Sequence, residues 1–298
     1  MTTETQALPK GFVRLSGPAA EVEDQLGPLA SLVGTWRGNT GWNMIAVPAR
    51  QPDGNPTFKL LVQNYSETIT FTPIGAPVPN RGGVDEQFIT GLVYNLTVTD
   101  NTTEGILHIE NGMWLYMGDI KPQPVGLLQD APLPIQYAIA RQSSIPHGDV
   151  VIALGNAVTS TGKPTIPIID GLPPDIGYPT LRGYLDPYLN TGFRQFNAKN
   201  PNMILEEALQ NQTIGKVTTI TVDTTNHGGS IVNIPFIDQH VNPSRFVSTF
   251  WIEEVFTDNV NFLQLQYSQQ ADLNFLPKFN APGIIMWPHV NVNTLRKQ

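Results

Sequence analysis

In the stretch "NFLQLQYSQ", residues 261–269, apolar and polar side chains take turns one by one. A strand sorts that pattern cleanly, with Leu263, Leu265 and Tyr267 on one face and Gln264, Gln266 and Ser268 on the other, whereas a helix would scatter it around its axis. The same alternation returns in "SETITFTP", where Thr68 and Thr70 stand against Ile69 and Phe71. Such segments predict strands of an antiparallel sheet with one wet face. "GDVVIALGNAV" is instead a short apolar run between glycines and predicts a better-buried strand. Glycine and proline, 26 each, punctuate the chain often enough to cut it into many short strands. The predicted class is therefore mainly β, a sandwich or barrel.

Helical signals are few. "AAEVEDQLGPLASLVG" has room for one or two short helices before the first strand, and "NPNMILEEALQNQ" predicts another, with Asn200 as N-cap and Pro201 at the first helical position. From about 159 to 199 the chain is rich in Pro, Gly, Tyr and Asp, but Ile, Leu and Phe recur through it. That mixture predicts a packed excursion and not a flexible linker. The expected organisation is one domain, 1–298, with an insertion over 158–215 packed on it.

Composition excludes several functions. The net charge of −8 is the wrong sign for a nucleic-acid binder. No apolar run reaches the length of a membrane-spanning helix, so no membrane association is expected. With no cysteine there are no disulfides, thiolate metal sites or cysteine nucleophiles. The opening "MTTETQALPKGFVRLSG" lacks the layout of a secretory signal. Asn95, Asn101 and Asn211, each in an Asn-x-Thr triplet, then read as polar strand and loop residues. These features predict a soluble, cytoplasmic protein. No G-x-S-x-G, phosphate-binding glycine loop or H-E-x-x-H occurs. Asp85 and Glu86 are adjacent, so a strand would point them to opposite faces and away from any shared bond.

Five stretches together carry a resemblance. Gly34-x-Trp36, after a short apolar segment, resembles the first strand of lipocalin-like and fatty-acid-binding-like barrels, where the indole plugs the closed end. "PLASLVGTWRG", "YSETITFTPIGAPV", "GILHIENGMWLYM", "GDVVIALGNAV" and "MWPHVNVNTLRK" resemble, in this order, landmarks of the nitrobindin family of haem-binding β-barrels. They cover roughly 28–157 and 216–297. The excursion near 158–215 and much of 120–135 have no counterpart there, and "NTGWNMIAVP" replaces the family's glycine-rich continuation of the first strand. The chain thus resembles an enlarged, divergent member, and the fold implied is an antiparallel lipocalin-like β-barrel.

The resemblance implies haem b as cofactor, with His289 as the proximal iron ligand. A neutral imidazole suits that role. Strict alternation places Asn291 and Asn293 on the face of His289, so either the inner wall is partly polar there or a bulge after Pro288 turns the ring. His108 shares a face with Glu110 and is either a pocket residue facing the proximal side or a hydrogen-bonded sheet histidine. Met286 and Trp114 complete the candidate haem contacts. His147 and His227 sit in turn signals and read as solvated; His240 is less defined. Arg37, Arg141 and Arg245 are not placed in a pocket by the sequence, so no distal His/Arg pair marks a peroxidase. The implied function is binding of nitric oxide or reaction with peroxynitrite or another small oxidant, with peroxynitrite isomerisation as the activity the family suggests. The alternative is a haem-free carrier of an apolar small molecule, or a haem-free catalyst acting beneath the excursion. A homodimer is the expected partner state.

Overall fold

A computed structural model of the chain describes residues 25–75, 78–79, 88–118, 137–174, 196–257, 260–278 and 281–298. Twelve strands form along them. They are β1 (Gly34–Arg50), β2 (Pro56–Pro73), β3 (Val78–Pro79), β4 (Phe88–Asp100), β5 (Ile106–Tyr116), β6 (Ile139–Ile145), β7 (Asp149–Thr161), β8 (Thr213–Asp223), β9 (Ser230–Asn233), β10 (Asn242–Phe256), β11 (Phe262–Pro277) and β12 (Ile284–Lys297). Two short helices join them, α1 (Met203–Leu209) and α2 (Pro235–His240), and a 3-10 turn, Gly27–Leu32, precedes β1. No helix among the described residues is long and apolar enough to cross a membrane.

Ten strands close on themselves in the order β2-β1-β12-β11-β10-β8-β7-β6-β5-β4, the ring completed where β4 pairs with β2. Every pairing is antiparallel, so the mainly β class expected from the alternation forms, and of the sandwich and the barrel left open it is the barrel, as the resemblance implied. Closure leaves none of these ten strands with an open edge. β3 adds to β4 and β9 to β7 outside the ring.

A bulge in β1 decides which residues face in. The register of β1 shifts between Gly38 and Gly41 against β2 and between Arg37 and Trp42 against β12. Before it Trp36 points inward; after it Asn43, Ile45 and Val47 do, while Trp42, Met44 and Ala46 point out. Gly41 is needed there, because a Cβ would stand 2.3 Å from the Tyr65 ring.

The interior has two halves. One is solid: Trp36, Trp114, Phe71 and Phe250 pack with Leu29 and Leu32 of the 3-10 turn, and the Trp36 indole donates to the Leu32 carbonyl at 2.7 Å. This is the plugged end expected for Trp36. The other half encloses a cavity.

The outer wall is dry where wetness was predicted. Between Thr161 and Thr213 the chain leaves the barrel and returns, packing Ile166, Phe196, Ala198, Leu205 and Leu209 against outward Trp42, Met44, Trp251 and Val292. The described residues of this cover are 162–174 and 196–212, since 158–161 belong to β7 and 213–215 to β8. Beneath it Gln264 and Gln266 are buried, which corrects the reading of that face as solvated. Gln264 donates to Glu253 at 2.7 Å, exchanges hydrogen bonds with Gln212 at 2.9 Å, and Gln266 donates to the Leu205 carbonyl at 3.0 Å. Helix α1 begins at Met203 with Asn202 at its N-cap position, not Asn200, and the Asn202 amide instead holds the Pro167 carbonyl at 2.8 Å. Asp85, Glu86, the predicted helical residues before 25, and the excursion between 175 and 195 lie outside the described residues.

Glu253, fully buried under this cover, has its carboxyl pushed up by burial to about 8 against the 4.5 of a free side chain. The unfolded chain gives up this proton near 4.5 and the folded one near 8, so rising pH favours the unfolded state across that interval. Glu253→Gln keeps an acceptor for Gln264 and removes the penalty. Thermal melts should show the variant more stable than the wild type by roughly 3 kcal/mol at neutral pH, with the gain vanishing in acid. Parallel pH profiles for the two proteins would contradict the assignment.

Candidate functional site

The cavity holds about 340 Å³ and is walled by the inward residues of the strand ends away from the Trp36 plug. Its sides are mostly apolar, with Ile45, Leu61, Leu96, Val151, Phe246 and Leu273 among them. The polar groups fall into three clusters.

His289 lies on the wall and, with Asn291, lines the cavity. The β11–β12 ladder runs without interruption from Ala271↔His289 to Gln264↔Arg296. The inner wall is therefore polar there, and no bulge after Pro288 is needed. His289 Nε2 lies 2.8 Å from Asn43 Oδ1, which also accepts from Asn291 at 2.9 Å. Asn43 donates to Gln63 Oε1 at 2.9 Å, and Gln63 donates to Asp100 at 3.3 Å. The Asp100 carboxyl is held below its usual range by the Thr103 and Thr102 backbone N–H groups, so it is an ionised acceptor. That orients both amides, and Asn43 can offer His289 only an acceptor. The imidazole proton must sit on Nε2, leaving Nδ1 with its lone pair. Burial, followed by the charges of His108 and His147, lowers His289 to about 3. The ring is neutral throughout the physiological range.

The second cluster faces it. His108 Nε2 lies 3.3 Å from Glu110 Oε2, so His108 is both a cavity residue and a hydrogen-bonded one. Its ring lies 5.7 Å from that of His147, which sits in the β6–β7 turn and is exposed as predicted, yet lines the cavity. Burial and His108 lower His147, and burial raises Asp149 beside it. Behind Glu110 stands Arg141, 1% exposed, whose Nη2 reaches Glu110 Oε1 at 2.8 Å. Arg141 also donates to Ser248 at 3.2 Å, to Tyr94 at 3.3 Å and to Gln269. Burial alone would raise Glu110, but the guanidinium and His108 hold it well below the usual carboxylate range.

The third cluster is the floor. Tyr65 and Tyr267 line the cavity with hydroxyls 2.7 Å apart, and Tyr267 donates to buried Glu67 at 2.5 Å. Asn293 donates to the same carboxylate oxygen at 2.9 Å. Burial raises Glu67 to about 7, and its Oε1 has no partner.

Of the candidate haem contacts, the structure thus brings His289 and His108 to one cavity. Met286 does not line it; it lies one step out of phase with His289 on β12. Trp114 shares the inward face of His108 but lies deeper, in the solid core, 5.0 Å from Phe250 and under Arg141. Arg37 is exposed and Arg245 pairs with Asp223 at 2.5 Å. His227 is exposed in the β8–β9 turn, and His240 stacks on Phe236 at the end of α2. Asn43, Glu67, Arg141 and Tyr267 are the site residues that sequence reasoning missed. Tyr267 carried a signal, on the apolar face of the alternating stretch with Leu263 and Leu265, and so did Glu67, two residues from Tyr65 in a strand pattern. Among the described residues, no three acidic or histidine side chains converge to chelate a bare metal ion.

The site is thus the inner pocket of a ten-stranded antiparallel barrel. No protein-family model matches the chain, and no curated protein matches it. Among solved structures it is similar to the crystal structure of Rv2717c from M. tuberculosis, at 14% identity over 95% of this chain and 99% of that one, with a TM-score of 0.40. The barrel assignment here stands on the chain's own strand pairings.

The hydrogen-bond chain from Asp100 to His289 makes a spectroscopic prediction. Ring 15N shifts should report the Nε2–H tautomer of His289 and no protonation down to about pH 4. Asn43→Leu should remove the tautomer preference. A ring that titrates near 6.5 would contradict the geometry.

Proposed function

We propose that this cavity holds b-type haem, with His289 as the protein's ligand to the iron. The observation that carries the reading is the His289 imidazole, kept neutral by burial and set on the wall of a mostly apolar cavity. An imidazole with a free lone pair suits haem iron, and an apolar surround suits the macrocycle. Among the described residues no three histidine or acidic side chains converge on a bare ion, whereas a macrocycle brings its own nitrogens. The order of the sequence landmarks shared with nitrobindin supports the same reading.

Bound haem would supply an open iron position for a diatomic gas such as nitric oxide, or for peroxynitrite. The chain's own residues would do the rest. Asn43 orients the His289 ring, as hydrogen-bonded partners of metal-binding histidines do. Ile45, Leu96, Val151 and Phe246 exclude water. His108, tied to Glu110, offers an imidazole on the facing cluster. Arg141 is bound to Glu110 behind the wall and does not supply a free cation to the pocket. This weighs against a peroxidase-like pull on an O–O bond. A haem-free carrier of an apolar small molecule is the second reading, and the mostly apolar lining of the cavity favours it.

The test is optical. Protein expressed with haem supply, or titrated with hemin, should show a Soret band, and His289→Ala should lose or displace it with binding weakened at least about tenfold. A colourless protein that refuses hemin would sink the haem reading and leave the carrier.

A further inference from the structure

No lysine or arginine among the described residues lines the cavity, although one guanidinium lies just behind it. Arg141 is sealed off by Glu110, which does line it. The pair is close at 2.8 Å, and the remaining guanidinium N–H groups go to Tyr94, Ser248 and Gln269. Four rings, Trp114, Tyr94, Phe246 and Phe250, stand 5.1–5.8 Å from its carbon. Every charge it could lend to a ligand is already answered inside the wall.

Lysine and arginine apart, the cavity's nitrogen-bearing rings are His108, His147 and His289; His108 keeps its Nε2 on Glu110 at 3.3 Å, and burial favours the neutral form of His147. His289 donates its one N–H to Asn43 and shows the pocket a lone pair. Tyr267 donates to Glu67 beneath the floor. Asp149 lines the cavity with a buried oxygen, Oδ1, that has no partner. With no iron present, an anion drawn into this space would lose its hydration and meet carboxylates in place of a counter-charge, an unfavourable transfer.

We propose that the cavity takes uncharged or cationic apolar molecules and turns away anionic amphiphiles, with the Glu110–Arg141 pair making that choice. A ligand that carries carboxylates must leave them in water at the mouth. The proposal rests on the reading of the cavity as a ligand site and names the charge class that site takes. Glu110 is the specificity residue: with its charge removed, Arg141 becomes an unanswered cation beside the pocket, and the pocket becomes a receptor for anions.

Two fluorescent probes on one ring skeleton test this in the haem-free full chain. N-phenyl-1-naphthylamine is uncharged, and 1-anilinonaphthalene-8-sulfonate adds a sulfonate. Binding of the sulfonate is counted only where the neutral probe competes, which removes signal from the outer surface. Wild type should bind the neutral probe, and bind the sulfonate at least about tenfold more weakly. Dodecylamine should displace the neutral probe and dodecanoate should not. Glu110→Gln should raise sulfonate binding relative to the neutral probe by about tenfold, and Glu110→Gln with Arg141→Met should lose that gain. Circular dichroism checks that each variant folds; the wild-type probe and displacement measurements decide the matter if Glu110→Gln does not. Comparable binding of both probes by wild type, a cavity that takes neither, displacement by dodecanoate, or a folded Glu110→Gln that ignores the sulfonate overturns the proposal. These readings are independent of the Soret test. A protein that sorts the probes but refuses hemin sinks only the haem reading, and one that binds hemin but takes the sulfonate sinks only the charge rule.

Discussion

The Arg141 guanidinium lies inside a β-barrel, 1% exposed, with aromatic rings around it, and it can stay there because Glu110 reaches it from the neighbouring strand β5. Taking one buried charge from such a pair leaves the other unanswered, typically at about 3–5 kcal/mol, while taking both is far milder. The pair also divides the interior. On one side lies the solid core of Trp36, Trp114 and Phe250; on the other the cavity opens. His108 hangs from the free oxygen of the same carboxylate at 3.3 Å. The boundary between filled and open barrel is thus an electrostatic object, and the position of the nearest cavity histidine follows from it.

Closure makes the rest possible. A ring of ten strands satisfies the backbone groups of every strand in it, so the inner face is free to hold polar side chains without exposing a sheet edge. On the opposite face the excursion takes over the role that solvent plays in a simple antiparallel sheet. Trp42 meets Phe196 with ring centroids 5.4 Å apart, and Gln266 spends its amide on Leu205 and Thr294. The strands around β12 are therefore dry on both faces. That leaves Glu253 Oε1 and Gln266 Oε1 buried without partners, the strain that appears when a sequence built for a wet face is roofed over.

How far the sequence showed this depends on range. Alternation within a strand is local, so the class and the shared face of His108 and Glu110 could be read directly, whereas His289 was singled out by the resemblance and alternation only grouped it with Asn291 and Asn293. Failures arise where a distant segment intervenes. Gln264 and Gln266 look solvated because nothing nearby reveals that Leu205 and Gln212 of the excursion come to lie over them. Asn43 looks misplaced because the bulge at Gly38–Gly41 inverts the phase of β1, and a two-residue count cannot see a bulge. Arg141 carries no local sign of burial; its partner stands on β5 and its other contacts on β4, β10 and β11. Met286 shows the opposite error, since nearness in sequence put it beside His289 while the strand turned it away.

The two sides of the cavity are set by opposite means. At Glu110 a cation holds the carboxylate ionised, and the result is a fixed pair that supports the barrel. At His289 there is no charge partner, only a relay of neutral amides across four neighbouring strands, β4, β2, β1 and β12, that starts at Asp100 and ends at Nε2. A relay of that kind fixes which nitrogen bears the proton without charging the ring. The paired groups are committed to the fold, whereas the imidazole is oriented, neutral and left with a lone pair to give. In a protein whose interior could have been filled with leucine, that is the group a ligand would use.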